Sequence, residues 1–317
     1  MANPVRVSEL DFDEAKRNLV DYLKTQDHWK GYDFEGAGFN IIMDQLAYGI
    51  HYGASYANMM SAEMFLSSAE LRSSIVSRAR ELGYTPSSVR APKALVNMTF
   101  HDVGQPFPLT VIVPKGHSFT TATGGTFTCV ETKSATREPG ESVTIPSLDI
   151  REGGYSSMEV VVDAEVIKRG IMLPSADIDT SVLEVHVQDG TDDRTMTRYV
   201  ESHTISGVTG KSKIYFLEEV DGKFRVVFGD GVLGKSVRLG EVVRVVYFET
   251  SGPVSNGTST FSTSFTGDLA NAVLTVTTAS AAAGGSTAED DDTIKFRAPK
   301  RIVARNRALT DSDWEAI

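Results

Sequence analysis

From Phe39 to Phe65 the chain carries only two formally charged residues, Asp44 and Glu63, and this stretch limits what the rest can fold into. The spacing predicts one helix over it, roughly 40 Å long at ~1.5 Å per residue. Phe39, Met43, Leu46, Ile50, Gly53, Ala57, Met60 and Met64 recur at four-three intervals, the pattern of a coiled-coil or bundle seam. Gly53 and Ala57, in its middle, let a neighbouring backbone come close. Tyr48, Tyr52 and Tyr56 form a second ridge at four-residue spacing, off that seam. A helix apolar on two sides needs cover on both, and the flanking helices are short, so helices of another chain are expected to complete the bundle. The alternative is that β structure of the same chain packs over the tyrosines. A membrane span is excluded because Asn40, Gln45, His51 and Asn58 interrupt the helix on several faces.

Two shorter helices flank it. Residues Asp11 to Gln26 place Phe12, Ala15, Leu19, Tyr22 and Leu23 on one face. Ala69 to Leu82 opens on Ser67-Ser68-Ala69-Glu70, which reads as a capping box, and ends at Gly83 with Pro86 beyond. Near Pro92 the pattern changes to residue-by-residue alternation rich in Thr, Val, Gly and Ser. Strands are expected over 94–100, 109–113, 118–123, 126–131, 158–167, 183–187, 213–219, 224–228, 242–249, 260–265 and 273–278. Asp221-Gly222 and Asn256-Gly257 are hairpin signals. After an Ala-Gly linker at 281–285, Ser286-Thr287-Ala288-Glu289 reads as a second capping box. It opens a short helix over 293–297 that Pro299 cuts, and a further helix is expected to begin at Thr310 or Asp311. The fold class expected is therefore α+β: an N-terminal helical, bundle-forming domain (1–92), antiparallel β-rich domains (93–175 and 176–285), and the start of a truncated C-terminal helical region (286–317).

Composition narrows the function. A net charge of −11 has the wrong sign for neutralising phosphates, so nucleic acid is a poor partner. The single cysteine, Cys129, excludes an intrachain disulfide and a cysteine-built zinc site. Met1 to Leu10 holds no signal-peptide core, and nowhere do ~20 apolar residues run uninterrupted, so neither secretion nor a membrane is expected.

Gly229-Asp230-Gly231-Val232-Leu233-Gly234-Lys235-Ser236 fits both GxGxxG and GxxxxGK[ST]. Both patterns need a helix to follow, and Val237 to Val245 reads as extended chain, so a glycine-built connection between strands is the better reading. The acidic run 289–292 suits a helix start, and Asp177-Ile178-Asp179 a loop. His28, His51, His101, His117, His186 and His203 show no metal-ligand spacing, and no GxSxG is present. Carboxylate pairs are defined in space and stay open. No catalytic residue, cofactor or metal is predicted.

Three stretches carry a resemblance. The first joins Tyr32-Asp33-Phe34, Gly38-Phe39-Asn40, Asp44-Gln45-Leu46-Ala47-Tyr48, Tyr56-Ala57-Asn58-Met59, Glu63-Met64-Phe65-Leu66 and Ala79-Arg80-Glu81-Leu82-Gly83-Tyr84. The second is Phe228 to Lys235 with Gly240, Val245-Val246-Tyr247 and Gly252 to Gly257. The third is Gly284-Gly285, Ala298-Pro299 and Asn306-Arg307-Ala308-Leu309-Thr310 with Asp313 and Trp314. Together they resemble the baseplate J-like wedge proteins that build the inner ring of the baseplate in contractile-tailed bacteriophages. The resemblance implies a structural subunit, not an enzyme, assembled in the host cytoplasm and located in the virion tail. It also implies pairing with a second copy, a helical bundle with another wedge protein, contacts to sheath-initiating and hub-proximal proteins, a sixfold ring, and relay of the shape change that triggers sheath contraction. The alternative is a tail-associated carbohydrate-binding or polysaccharide-degrading β protein. Members of the family from larger contractile phages continue past the third stretch, whereas this sequence ends at Ile317 inside it; it reads either as part of a longer chain or as a shortened subunit.

Overall fold

The structure, a computed structural model, describes residues 11–304 except 35, 37, 103–107, 189, 191–194, 204–206, 270 and 271. The chain forms two compact units, one of residues 1–84 with 291–317 and one of 85–290.

The first unit begins with α1 (Phe12–Lys24), whose cap Asp11 accepts the Phe12 amide, and continues with α2 (Phe39–Ala62) and α3 (Arg72–Glu81). Ala15 of α1 and Met43 and Ala47 of α2 are buried, and Lys16 pairs with Asp44 across the two helices. The link between them is held by rings: Trp29 stacks on Phe39 at 5.0 Å, and Tyr32 meets Phe34 edge-on at the same separation.

The expected capping box before α3 does not form. The helix α3 starts only at Arg72, beyond Ser67 and Glu70, with no side-chain cap of its own, and the neighbouring Ser68 Oγ donates to the carbonyl of Ala62 at 2.7 Å. The orphan amides of Glu70 and Leu71 are taken by Glu63, at 2.9 and 3.3 Å. Partial burial opposes ionisation there, but those amides and the Ser74 hydroxyl outweigh it and hold the Glu63 carboxyl below its ordinary value. Because the folded value lies below the unfolded one (about 4.3), the contribution is whole above that value and is lost as pH falls through the folded one. Glu63→Ala is expected to fray the start of α3, at a cost of about 1 kcal/mol near neutral pH. Native-state hydrogen exchange at residues 70–76 reads this, and the difference from the parent should vanish in acid.

The second unit enters and leaves through one clasp. Arg90 and Ser286 exchange backbone bonds of 3.0 and 3.1 Å, Glu289 Oε2 accepts the Ser87 amide, and the Glu289 amide donates to the Ser87 carbonyl. This is the reason the second expected capping box is absent: Ser286 and Glu289 are engaged here.

The strands are β1 (Lys93–His101), β2 (Thr110–Val113), β3 (Ser118–Thr121), β4 (Thr126–Cys129), β5 (Lys133–Thr136), β6 (Val143–Glu152) and β7 (Gly154–Val161). After the short α4 (Ala164–Arg169) come β8 (Ile171–Met172), β9 (Glu184–Gln188), β10 (Met196–Glu201), β11 (Ile214–Val220), β12 (Lys223–Phe228), β13 (Val242–Glu249), β14 (Phe261–Ser262) and β15 (Val273–Ala283). They form a six-stranded sheet, β14-β3-β4-β6-β1-β15, a seven-stranded sheet, β7-β13-β9-β10-β11-β12-β8, and the pair β2-β5. The named strand pairs are antiparallel apart from β10 with β11. Alternation along β1 sends Ala94, Val96, Met98 and Phe100 into one core with Phe119, Phe127 and Ile150; a second core gathers Val185, Tyr199, Val226 and Val245.

Sheet membership runs across the expected division at 175 and 176, because β15 pairs along the whole of β1 while β7 joins β13. Local expectations shift with it. The strand predicted to reach Ile167 stops at Val161, since Asp163 accepts the Val166 amide at 2.8 Å and starts α4. Ala281 to Ala283, expected as linker, belong to β15. Asp221 (φ 51°) and Gly222 (φ 77°) make the predicted tight hairpin between β11 and β12. Asn256-Gly257 joins strands of different sheets and is not a hairpin; Asn256 exchanges two bonds with the Gly285 backbone, at 2.9 and 3.0 Å. The strands β5, β6, β8 and β10 were not foreseen.

The closing helix, α5 (Asp291–Ala304), belongs to the first unit and passes through Pro299, which was expected to end it. Ile294 and Ala298 are buried against Ile75, Ala79 and Tyr84 of the α3 region, and Arg72 reaches Asp291 at 2.7 Å, so tertiary packing carries the helix past the missing amide. The expected helix from Thr310 or Asp311, like most of the third sequence stretch, lies outside the described residues.

Candidate partner-helix interface

Helix α2 is turned against the usual sense. The side that holds the buried Met43 and Ala47 also carries Asn40, Asp44, His51 and Asn58, all half-buried. Most of its polar residues thus lie on the side turned to its own unit, and most of its large apolar ones face out. Ile41 is 73% exposed, Met60 69% and Leu46 51%. Fully burying such a side chain is worth about 1.5–3 kcal/mol, so the exposed set holds far more free energy than a soluble surface normally leaves in water.

Of the predicted seam, Met43 is buried within the chain, Phe39 is half-buried in the aromatic link, and Leu46, Ile50, Gly53, Ala57, Met60 and Met64 are exposed. Met43 is therefore a residue of the internal contact with α1. The tyrosine ridge is exposed and self-ordered: Tyr48 meets Tyr52 at 4.7 Å and Tyr52 meets Tyr56 at 6.0 Å. A hydrogen bond with Tyr52 raises the Tyr48 hydroxyl above its ordinary value. A Cβ built on Gly53 would meet nothing within 4 Å, so no atom of this chain needs that glycine to be small. Spacing alone missed Ile41, Ile42, Met59 and Phe65, which are also exposed. Listing the few polar residues of the helix and assigning every other position to an outer face would have found them.

The other candidates resolve into structural roles. The glycine loop 229–236 precedes no helix; it carries the chain from β12 to β13, which are not neighbours, so it is not a hairpin either. Its amides are spent on the chain itself. Gly231 donates to Gly234, Gly234 to Thr209, Lys235 to Ser212, and Val232 and Leu233 to Asp230 Oδ1 at 2.8 Å. The last two bonds hold the Asp230 carboxyl below its ordinary value. A cradle for phosphate would need those amides free.

Asp179 is buried and accepts from Ala91 and Ser181 at 3.0 and 2.9 Å. His117 stacks on Phe265 at 4.2 Å, and burial lowers its pKa. Burial raises the Cys129 thiol. Among the described residues, no group of His, Cys, Asp and Glu is arranged to hold a metal. An open cavity of about 340 Å³ is lined by Glu152, Asp177 and Glu249. Glu152 engages both its oxygens there, with Thr250 Oγ1 at 2.6 Å and with the amide and hydroxyl of Ser251 at 2.9 Å each. Among the described residues, no helix is long and apolar enough to cross a membrane.

A helical head whose central helix keeps many apolar side chains outward has the form that assembly through helices requires. The comparisons say of what kind. Residues 11–84 match the family described as "baseplate wedge protein gp6-like, helical domain". The baseplate wedge protein gp6 of Enterobacteria phage T4 is 28% identical over 273 residues, which cover 79% of this chain and 40% of that protein. The chain thus resembles phage baseplate wedge proteins, as its three sequence stretches imply, and spans about two fifths of that relative's length. A chain of the six-fold symmetrised baseplate of the anti-feeding prophage aligns over 97% of this one and 63% of its own length, with 12% identity and a TM-score of 0.36, a likeness too weak to carry an argument.

Proposed function

We propose that this chain is a structural, non-catalytic subunit of a phage tail baseplate wedge, located in the virion tail, and that α2 is the part that binds it into the wedge. One observation carries the reading: α2 directs its polar side at its own unit and its apolar sides at solvent. A helix so arranged gains its burial on association, and the seam and the tyrosine ridge ask for cover on two sides. The seam suits close approach at Gly53 and Ala57; the ridge suits a second helix. We assign these places to helices of another wedge protein and of a second copy of this chain. The β sheets are then left to make ring contacts around the hub and with the sheath-initiating component, and to relay the shape change that precedes contraction.

Native mass measurement of the purified chain, alone and mixed with its neighbouring tail proteins, tests this. The expected result is a defined hetero-assembly containing two copies of this chain. A chain that stays monomeric in every mixture would refute the proposal.

A further inference from the structure

The six-stranded sheet has an open edge at β15. On its inner side β15 pairs continuously with β1, from His101 with Val273 to Asn97 with Thr277. On its outer side the far end is covered, where Ala282 exchanges bonds of 2.8 and 2.7 Å with Thr258 and Gly257 and Thr278 Oγ1 donates to the Ser259 carbonyl at 2.6 Å, and β14 comes close to the strand without a ladder to it. Among the described residues, no backbone bond is made to the outer edge of Val273 to Thr277.

Edge strands in soluble proteins are normally blunted by charge, proline, bulges or shortness. This one has none of those over Val273-Leu274-Thr275-Val276-Thr277-Thr278, and all but one of the six residues are β-branched. The register shifts lie beyond it, at the other end of the strand. From Thr250 to Ala288 the sequence contains a single charged residue, Asp268. By contrast β7, an edge strand of the other sheet, carries Glu159, paired with Arg244.

We infer that β15 is a strand-addition edge whose occupant is β15 of a second copy, paired antiparallel about a twofold axis at Thr275 or Val276. Charge selects this occupant. Copies of a chain at −11 repel one another, and an uncharged strand lets two of them approach without setting like charges opposite. Self-complementarity selects it too. Centred on Thr275, the pairing sets Thr275 against itself and Val273 against Thr277; centred on Val276, it sets Thr275 against Thr277. Either register keeps Leu274 and Val276, which pack on the core, on one face. The inference is independent of the helix interface.

Cysteine cross-linking of the full chain, with the buried Cys129 replaced by Ala, tests it. Thr275→Cys alone, Thr277→Cys alone, and an equal mixture of the two are oxidised and compared with Ser157→Cys on β7. Disulfide-linked dimer at least tenfold above the Ser157 control is expected, from Thr275→Cys for the first register or from the mixture for the second. Adding Val273→Lys should cut that yield about tenfold. Yields equal to the control in all three samples would overturn the inference, as would cross-linking only to a different wedge protein. Because α2 is untouched, hetero-assembly by mass should persist, which separates failure here from failure of the proposed function.

Discussion

Replacing Gly53 by Leu is expected to leave the isolated chain as stable as the parent, or more stable by up to about 1 kcal/mol, while abolishing its assembly with wedge partners. Leucine is the better helix former by roughly that amount, and a Cβ at position 53 has open space around it. At a close helix crossing the same side chain overpacks by about 1–3 kcal/mol, and Ala57→Leu one turn further on adds a similar cost. The pair should weaken association by roughly 10²-fold or more, since each 1.4 kcal/mol is tenfold. Urea unfolding reads the first effect and native mass the second. Normal assembly of the double variant would move the partner contact off the seam, and a large loss of stability in the isolated chain would mean that position 53 is covered from within.

The second large effect is expected at Glu152, at the end of β6. Its carboxylate is buried and accepts three bonds, from Thr250 Oγ1 and from the amide and hydroxyl of Ser251. Glu152→Ala leaves those donors with no acceptor inside the fold and should cost the β unit about 3 kcal/mol or more. Ser251→Ala removes one donor and leaves the acceptor engaged, so about 1 kcal/mol is expected. Denaturant midpoints of the three chains give the order. If Glu152→Ala falls within about 0.5 kcal/mol of the parent, the carboxylate is not the tie that joins β6 to the turn after β13.

Reading the sequence failed at residues whose partners lie outside their own helix or strand. Ser67-Ser68-Ala69-Glu70 looked like a capping box before α3, and Ser286 and Glu289 looked like one before α5. Glu63 took the first role, and the clasp of residues 87–90 with 286–289 took up the second pair. Pro299 looked like a terminus because a missing amide is a local fact, whereas the packing of Ile294 and Ala298 that carries α5 past it is not. Strands β5 and β8 are short, and β5, β6, β8 and β10 were all missed, while β12, β13 and the Asp221-Gly222 hairpin were read correctly from alternation and turn chemistry.

What the sequence determined by itself is what depends on neighbours within a turn or two: a long, nearly uncharged helix from Phe39, a helical head followed by sheets, and glycines at 229–236 that serve a connection and not a phosphate. Only the tertiary structure decided which side of α2 is inside. Periodicity fixes the angles between side chains but not which of them meets α1, and the contact chose the side with Asn40, Asp44 and Met43, leaving the apolar sides outward. Only the tertiary structure, likewise, returned β15 to β1 across more than 170 residues of chain, because strand pairing is settled by the shared core beneath and not by distance along the sequence.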